Sequence, residues 1–90
     1  MDTSEVETRL LVLLNALAGT LPEAELKEMR ELTEAGEPGI ALENLCVQLV
    51  EFERRVPRAI RDEIGSVGGK MRIDPKYWSR LSLTDAGPAS

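Results

Sequence analysis

The sequence predicts an all-α fold, a compact irregular bundle of four to five short helices in one domain. Apolar residues recur at three- and four-residue spacing along most of the chain, and glycine or proline interrupts that spacing at helix-length intervals. No segment alternates apolar and polar residues with an enrichment in β-branched types, as a half-buried strand would. A chain of 90 residues has room for one modest core.

The first two helices are predicted over residues 4–18 and from the next turn to Ala35. Gly19 ends the first helix, and Gly36 supplies the left-handed residue that ends the second. Between them, Thr20-Leu21-Pro22-Glu23 matches a capping box, in which the threonine accepts a backbone hydrogen bond and the glutamate reaches back. The predicted core residues of the second helix are Leu26, Met29 and Leu32.

The third helix is predicted over residues 40–54, after the turn at Pro38. Its apolar positions fall on two sides. The predicted core side holds Leu42, Leu45, Cys46, Leu49 and Phe52.

Pro57 opens a fourth predicted helix, whose glycines at 65, 68 and 69 favour fraying or bending of its second half. Asp74 and Pro75 are a good N-cap and first residue for a short last helix. We expect Trp78 on this helix to close the core, and the alternative is an aromatic anchor at an interface. Residues 82–90 lack periodicity. We therefore expect a helical domain over residues 1–81 and a flexible tail over residues 82–90.

Charge is unevenly distributed along the chain. Residues 1–53 carry 12 acidic and 3 basic side chains, whereas residues 54–90 carry 4 acidic and 8 basic ones, for a net charge of −5. Such an acidic front repels phosphates and anionic membranes and attracts a basic protein. We therefore expect no nucleic-acid or membrane partner, and we interpret the arginines at 54, 55, 58 and 61 as a solubilising surface. Surplus glutamates can also do no more than solvate helix faces.

Catalysis is not expected. The chain has no histidine, and its one cysteine, Cys46, is a core position, so it offers neither a Ser–His or Cys–His pair nor a usual zinc set. We predict no catalytic residue, no cofactor and no metal. A single cysteine and the absence of a recognisable signal peptide are typical of a cytoplasmic protein.

The other side of the third helix is the most informative feature for function. It collects Ile40, Val47 and Val50 among acidic and amide side chains, which is what a binding face for a basic partner looks like. The alternative is that a central helix buries both sides, and the sequence leaves the two interpretations equal. The predicted partner-binding residues are Glu31, Glu34, Glu37, Glu43, Asn44, Val47 and Glu51.

The sequence EAGEPGIALENLC at residues 34–46, the helix that follows, and IDPKYW at residues 73–78 form a pattern. This pattern resembles the MafI family of immunity proteins, small bacterial proteins encoded beside polymorphic toxins, and spans about half of the chain. The resemblance implies neutralisation of a cognate toxin, often a nuclease with a basic cleft, by stoichiometric binding as a monomer or homodimer. The rival expectation is a helical adaptor or homodimeric assembly subunit with no toxin partner.

Overall fold

The computed structural model describes residues 3–84 and confirms the all-α bundle. Its helices are α1 (Thr3–Ala16), α2 (Glu23–Glu34), α3 (Pro38–Glu51), α4 (Arg58–Lys70) and α5 (Lys76–Ser79). Within residues 3–84, β-type pairing is limited to isolated bridges between Ala18 and Leu21 and between Val56 and Leu83. No helix in this part of the chain is long and apolar enough to cross a membrane.

The core lies between the buried sides of the helices, with α3 at its centre. α3 packs against each of the other helices, α1, α2, α4 and α5. Leu42, Leu45, Cys46 and Leu49 are buried at helical spacing, as the sequence predicts. Because all of these residues lie on one side of the helix, the opposite side of α3 is left to face solvent. Large side chains from the rest of the chain complete the core: Leu10, Leu14, Leu17, Leu26, Met29, Val56, Ile64 and Val67.

The start of α2 differs from the prediction. Thr20 does not cap this helix, which is preceded by Pro22 and has no side-chain cap hydrogen bond. The backbone amide of Thr20 donates to the carbonyl oxygen of Leu17 at 2.9 Å, so this residue still belongs to the turn that ends α1. The capping box is therefore wrong. The structure has Pro75 at the cap position of α5, without a side-chain cap hydrogen bond, so the predicted Asp74 cap is displaced by one residue. The Asp74 carboxylate still accepts a hydrogen bond from the amide of Lys76 at 3.0 Å.

Left-handed residues end α2, α3 and α4. Gly36 ends α2 with a φ of 88°, as predicted, but the equivalent positions after α3 and α4 are Glu53 (φ 53°) and Arg72 (φ 60°). The amide of Arg54 donates to the carbonyl oxygen of Leu49 at 2.8 Å, which is the long hydrogen bond of a Schellman turn. That turn ends α3 three residues earlier than the sequence predicts. A left-handed φ costs a non-glycine residue about 1–2 kcal/mol.

A polar cluster joins α1 to α4. The Arg9 guanidinium donates to both carboxylate oxygens of Glu63 at 2.8 and 2.9 Å and to the hydroxyl of Ser66 at 2.9 Å. These hydrogen bonds from Arg9 lower the pKa of Glu63. The pair therefore stabilises the fold above the pKa of Glu63 in the unfolded chain, and this contribution is lost as the pH falls through the lower folded pKa.

Trp78 fills a notch between glycines of α4. A Cβ atom added at Gly68 would lie 2.4 Å from Cζ3 of Trp78, and one at Gly65 would lie 3.0 Å from its Nε1. The half-buried indole packs against the core, consistent with its predicted role as a closing residue. The second half of this helix keeps its helical hydrogen bonding despite the glycines, since α4 continues to Lys70.

The chain after α5 is attached to the loop between α3 and α4. The amide of Val56 donates to the carbonyl oxygen of Ser82 at 3.0 Å, and the amide of Thr84 donates to the carbonyl oxygen of Val56 at 2.9 Å. Leu81 is buried, and Leu83 packs against the core. Residues 82–84 are therefore paired, although the sequence places them in a loose tail. The rest of the predicted tail, residues 85–90, lies outside the described residues.

We predict that Gly68→Ala lowers the free energy of unfolding by about 1–3 kcal/mol, because the added methyl group overlaps the indole ring. Gly69→Ala is the matched control: nothing lies within 4 Å of its added Cβ, so the better helix propensity of alanine should raise stability by about 0.5–1 kcal/mol. Urea denaturation followed by circular dichroism measures both changes. Equal effects of the two substitutions would contradict the packing described for Trp78.

We also predict that Trp78→Ala lowers stability by about 3 kcal/mol, near the lower end for buried aromatic residues because the ring is only half-buried. In that background Gly68→Ala should lose most of its destabilising effect, since the atom it overlaps is gone. The coupling energy from this double-mutant cycle is the measurement. Additive effects would show that Gly68 is needed for another reason.

Candidate functional site

The outer side of α3 presents apolar side chains to solvent. Ile40, Asn44, Val47 and Glu51 follow one another at steps of four, three and four residues, so they share the face opposite the buried leucines. Ile40 is 46% exposed and Val47 is 42% exposed. We call these four residues the α3 outer face. Exposed aliphatic side chains that adjoin on one helix face offer apolar area that another macromolecule can cover.

The packing of α3 bears on the alternative that this central helix buries both of its sides. Val50, predicted on the outer side, is half-buried and packs against the core. Ile40 and Val47 are both large hydrophobic residues that are exposed to solvent. The central helix therefore does not bury both of its sides, and the apolar strip is narrower than predicted, with Ile40 and Val47 as its members.

Acidic residues flank this strip without a salt-bridge partner among the described residues. Glu51 is exposed, Glu43 is half-buried, and within residues 3–84 neither carboxylate takes part in a salt bridge.

Glu43 lies toward the core side, where its charge adds to the effect of burial on Cys46. Burial, with this smaller contribution, raises the pKa of the Cys46 thiol to about 12. The thiol is therefore protonated at neutral pH, the form in which it is a weak nucleophile.

The remaining predicted binding residues lie before α3. Glu34 is the last residue of α2, and Glu37 immediately precedes α3, so both are exposed near the Ile40 end of the outer face. Glu31 lies one turn earlier on α2 and forms a 3.9 Å salt bridge with Lys27. The structure thus groups Glu43, Asn44, Val47 and Glu51 on α3 but does not bring Glu31 into the same helix face.

Within residues 3–84, two salt bridges involve the basic residues of α2. Lys27 pairs with Glu31 at the four-residue spacing common on helices, whereas Arg30 binds Glu23 and not Glu34, four residues after it. Arg30 is therefore engaged near the start of α2. Among the described residues Glu34 has no salt-bridge partner, which leaves its charge available at the turn before α3.

Phe52 was predicted in the core and is 42% exposed. Helical periodicity assigns it to the buried side only if α3 continues past it, but the helix ends at Glu51 and Phe52 is already the C-cap residue. Its side chain therefore leaves the helical register. The sequence signal for this earlier end is weak, because the left-handed position carries Glu53 in place of glycine.

No cluster suited to a metal ion occurs in the part of the chain that the structure describes: residues 3–84 bring together no group of three or more His, Cys, Asp or Glu side chains that could hold one. The polar groups of the site on α3 are the exposed carboxylate of Glu51, the half-buried carboxylate of Glu43 and the half-buried amide of Asn44. Such an arrangement can form ion pairs and hydrogen bonds with a partner surface.

We predict that Ile40→Thr and Val47→Thr change the free energy of unfolding by no more than about 0.5 kcal/mol each, because both side chains lie on the surface. Leu45→Thr is the matched control on the same helix. Leu45 is 0% exposed, so we expect this substitution to lower the free energy of unfolding by about 2–5 kcal/mol. Thermal and urea denaturation measure the changes. A large loss at Val47 would show that this residue has a structural role.

The chain was also compared with known proteins. No family model, curated protein or solved structure matches it. The α3 outer face is therefore interpreted from its own exposure and charge.

Proposed function

We propose that this protein is an immunity protein that binds and neutralises a cognate bacterial toxin through the α3 outer face and the acidic residues beside it. The observation that carries the proposal is the exposed pair Ile40 and Val47, flanked by Glu43 and Glu51, which form no salt bridge among the described residues. The resemblance of residues 34–78 to the MafI family supports it. The protein acts by occupying the toxin and carries out no reaction.

Charge favours a basic partner. Residues 1–53 carry a net charge of −9, and this segment contains the whole of α1, α2 and α3. The resulting field steers a cationic protein toward the surface and raises the association rate at low ionic strength. A nuclease with a basic cleft fits this surface, because acidic side chains can occupy positions that the phosphates of its substrate would otherwise take.

The apolar pair gives the surface affinity that charge alone does not provide. Burying the exposed parts of Ile40 and Val47 contributes about 1 kcal/mol each, since roughly half of each side chain is already covered. Tight binding therefore also needs carboxylates that are desolvated against toxin arginines or lysines. Truncating one partner of such a buried pair costs about 2–5 kcal/mol, mostly through faster dissociation.

The same face disfavours self-association. In a two-fold symmetric contact each copy presents the same patch. In an antiparallel α3 pair centred on Val47, Glu43 of one copy would lie opposite Glu51 of the other, since each is four residues from the centre. Placing like charges opposite each other is unfavourable. A basic partner is therefore a better match for this face than a second copy of the chain. The homodimeric form of the rival expectation is thus disfavoured at this face.

We predict that reversing both flanking acids, Glu43→Lys with Glu51→Lys, weakens toxin binding by about 2–5 kcal/mol. The double variant should also abolish protection of toxin-expressing cells. The matched control reverses Glu5 and Asp62, exposed carboxylates on α1 and α4, which changes the net charge equally. Because the control leaves the interface intact, it should lower mainly the association rate. The product of the neighbouring gene is the toxin to be tested, and it is coexpressed with this protein. Binding is measured by surface plasmon resonance.

Circular dichroism and melting temperature must show that each variant remains folded. If reversal of the basic residues Arg58 and Arg61 to Glu removes protection while the Glu43 and Glu51 variant retains it, the acidic-face mechanism is wrong and α4 is the binding surface. Failure of the neighbouring gene product to bind the unchanged protein would overturn the immunity function itself.

A further inference from the structure

A groove of about 330 Å³ lies at the C-terminal end of α3, beside the chain that follows α5. Leu49 and Leu81 are buried and form its floor, and three exposed arginines line it: Arg54, Arg55 and Arg80. Two of them follow α3 and the third follows α5, so the cluster exists only in the folded chain. The packing of Trp78 and the pairing of residues 82–84 with Val56 hold the two segments together.

The charges of this groove are not balanced. Among residues 3–84 none of its three arginines forms a salt bridge, in contrast to Arg9 and Arg30, which both bind carboxylates. Glu53 also lines the groove and is its one acidic residue, so the lining has a net charge of +2. Guanidinium groups recognise planar anions through pairs of parallel hydrogen bonds. The groove is therefore suited to an anionic ligand.

We infer that this groove binds an acidic segment of a partner protein, with an aspartate or glutamate side chain between the arginines and a neighbouring apolar side chain against Val50. Arginine pairs with carboxylates, and Val50, which also lines the groove, is half-buried and keeps apolar surface that a ligand residue can cover. One ligand residue of each kind uses both properties of the groove. The volume is at the small end for ligand sites and fits a few side chains.

A nucleic acid fits the groove less well. Its backbone carries one charge per about 1.7 Å of duplex, so neighbouring phosphates would pass Glu53 as well as the arginines. The acidic charge of residues 1–53 would repel the rest of the polymer. A short peptide places its carboxylates only where the arginines lie.

The inferred peptide site differs from the proposed function in the sign of the charge it recognises and does not require a toxin. It can therefore be tested with synthetic peptides and the unmodified full-length protein. One probe is an acetylated and amidated pentapeptide of alternating aspartate and leucine. The others are the same peptide with asparagine in place of aspartate, inorganic phosphate, and a single-stranded oligothymidylate. Binding is followed by chemical-shift changes of backbone amides in nuclear magnetic resonance spectra.

We expect the acidic peptide to produce saturable shifts at Leu49, Glu53, Arg54, Arg55 and Ser82. The double variant Arg54→Gln with Arg80→Gln should weaken its binding about tenfold or more, as the loss of charge-assisted hydrogen bonds predicts. The matched control, Lys70→Gln with Arg72→Gln, removes two exposed charges outside the groove and should leave most of the affinity. Glu53→Gln should tighten binding, because it removes a like charge from the groove without changing its shape.

The inference is overturned if the asparagine peptide binds as well as the acidic one, or if the groove and control variants lose affinity equally. Phosphate binding as tight as that of the peptide would show that the groove holds an adventitious ion only, and it would overturn the inference. Tighter binding of the oligothymidylate would assign the groove to nucleic acid and also overturn the inference. None of these outcomes depends on whether a toxin binds the α3 outer face.

Discussion

The contact between Trp78 and the glycine notch of α4 determines the shape of one end of the molecule. The indole fits only where Gly65 and Gly68 lack side chains, and it brings α5 against both α3 and α4. This position directs the following residues along the end of α3, where Ser82 and Thr84 pair with Val56. The arginine groove is therefore a consequence of this packing, although Trp78 does not line it. The glycines reduce helix propensity, but the tertiary contact that they permit compensates for this.

The surface around α3 combines both signs of charge. The outer face carries Glu51 and the exposed pair Ile40 and Val47, and the helix then ends beside a groove lined by arginines. A partner that is basic throughout would match the first region and be repelled by the second. A partner with a basic cleft and an acidic edge would match both in only one orientation. Charge arranged in this way contributes to specificity and to the register of binding more than to total affinity.

Most of the helical architecture could be predicted from local patterns, because the spacing of apolar residues directly reflects which side of a helix is buried. The core side of α3 was predicted at Leu42, Leu45, Cys46 and Leu49 for this reason. The errors arise where local and tertiary effects differ. Phe52 follows the periodicity of a helix that has already ended, and the glycines of α4 act through Trp78, which is distant in sequence. The arginine groove could not be predicted, since Arg54 and Arg80 come together only through the packing of α5.

Glu53 and Arg72 make the protein less stable than glycine at these two positions would. Both occupy turns for which glycine is the better residue, and each left-handed φ costs about 1–2 kcal/mol. That is a substantial part of the roughly 5–15 kcal/mol that separates the folded and unfolded states of a typical domain. Arg72 lies outside both the α3 outer face and the groove, so a glycine there would recover part of this energy without altering either surface. Such a background would tolerate destabilising substitutions on the α3 outer face and in the groove, which makes it a suitable starting point for testing the proposed binding at both surfaces.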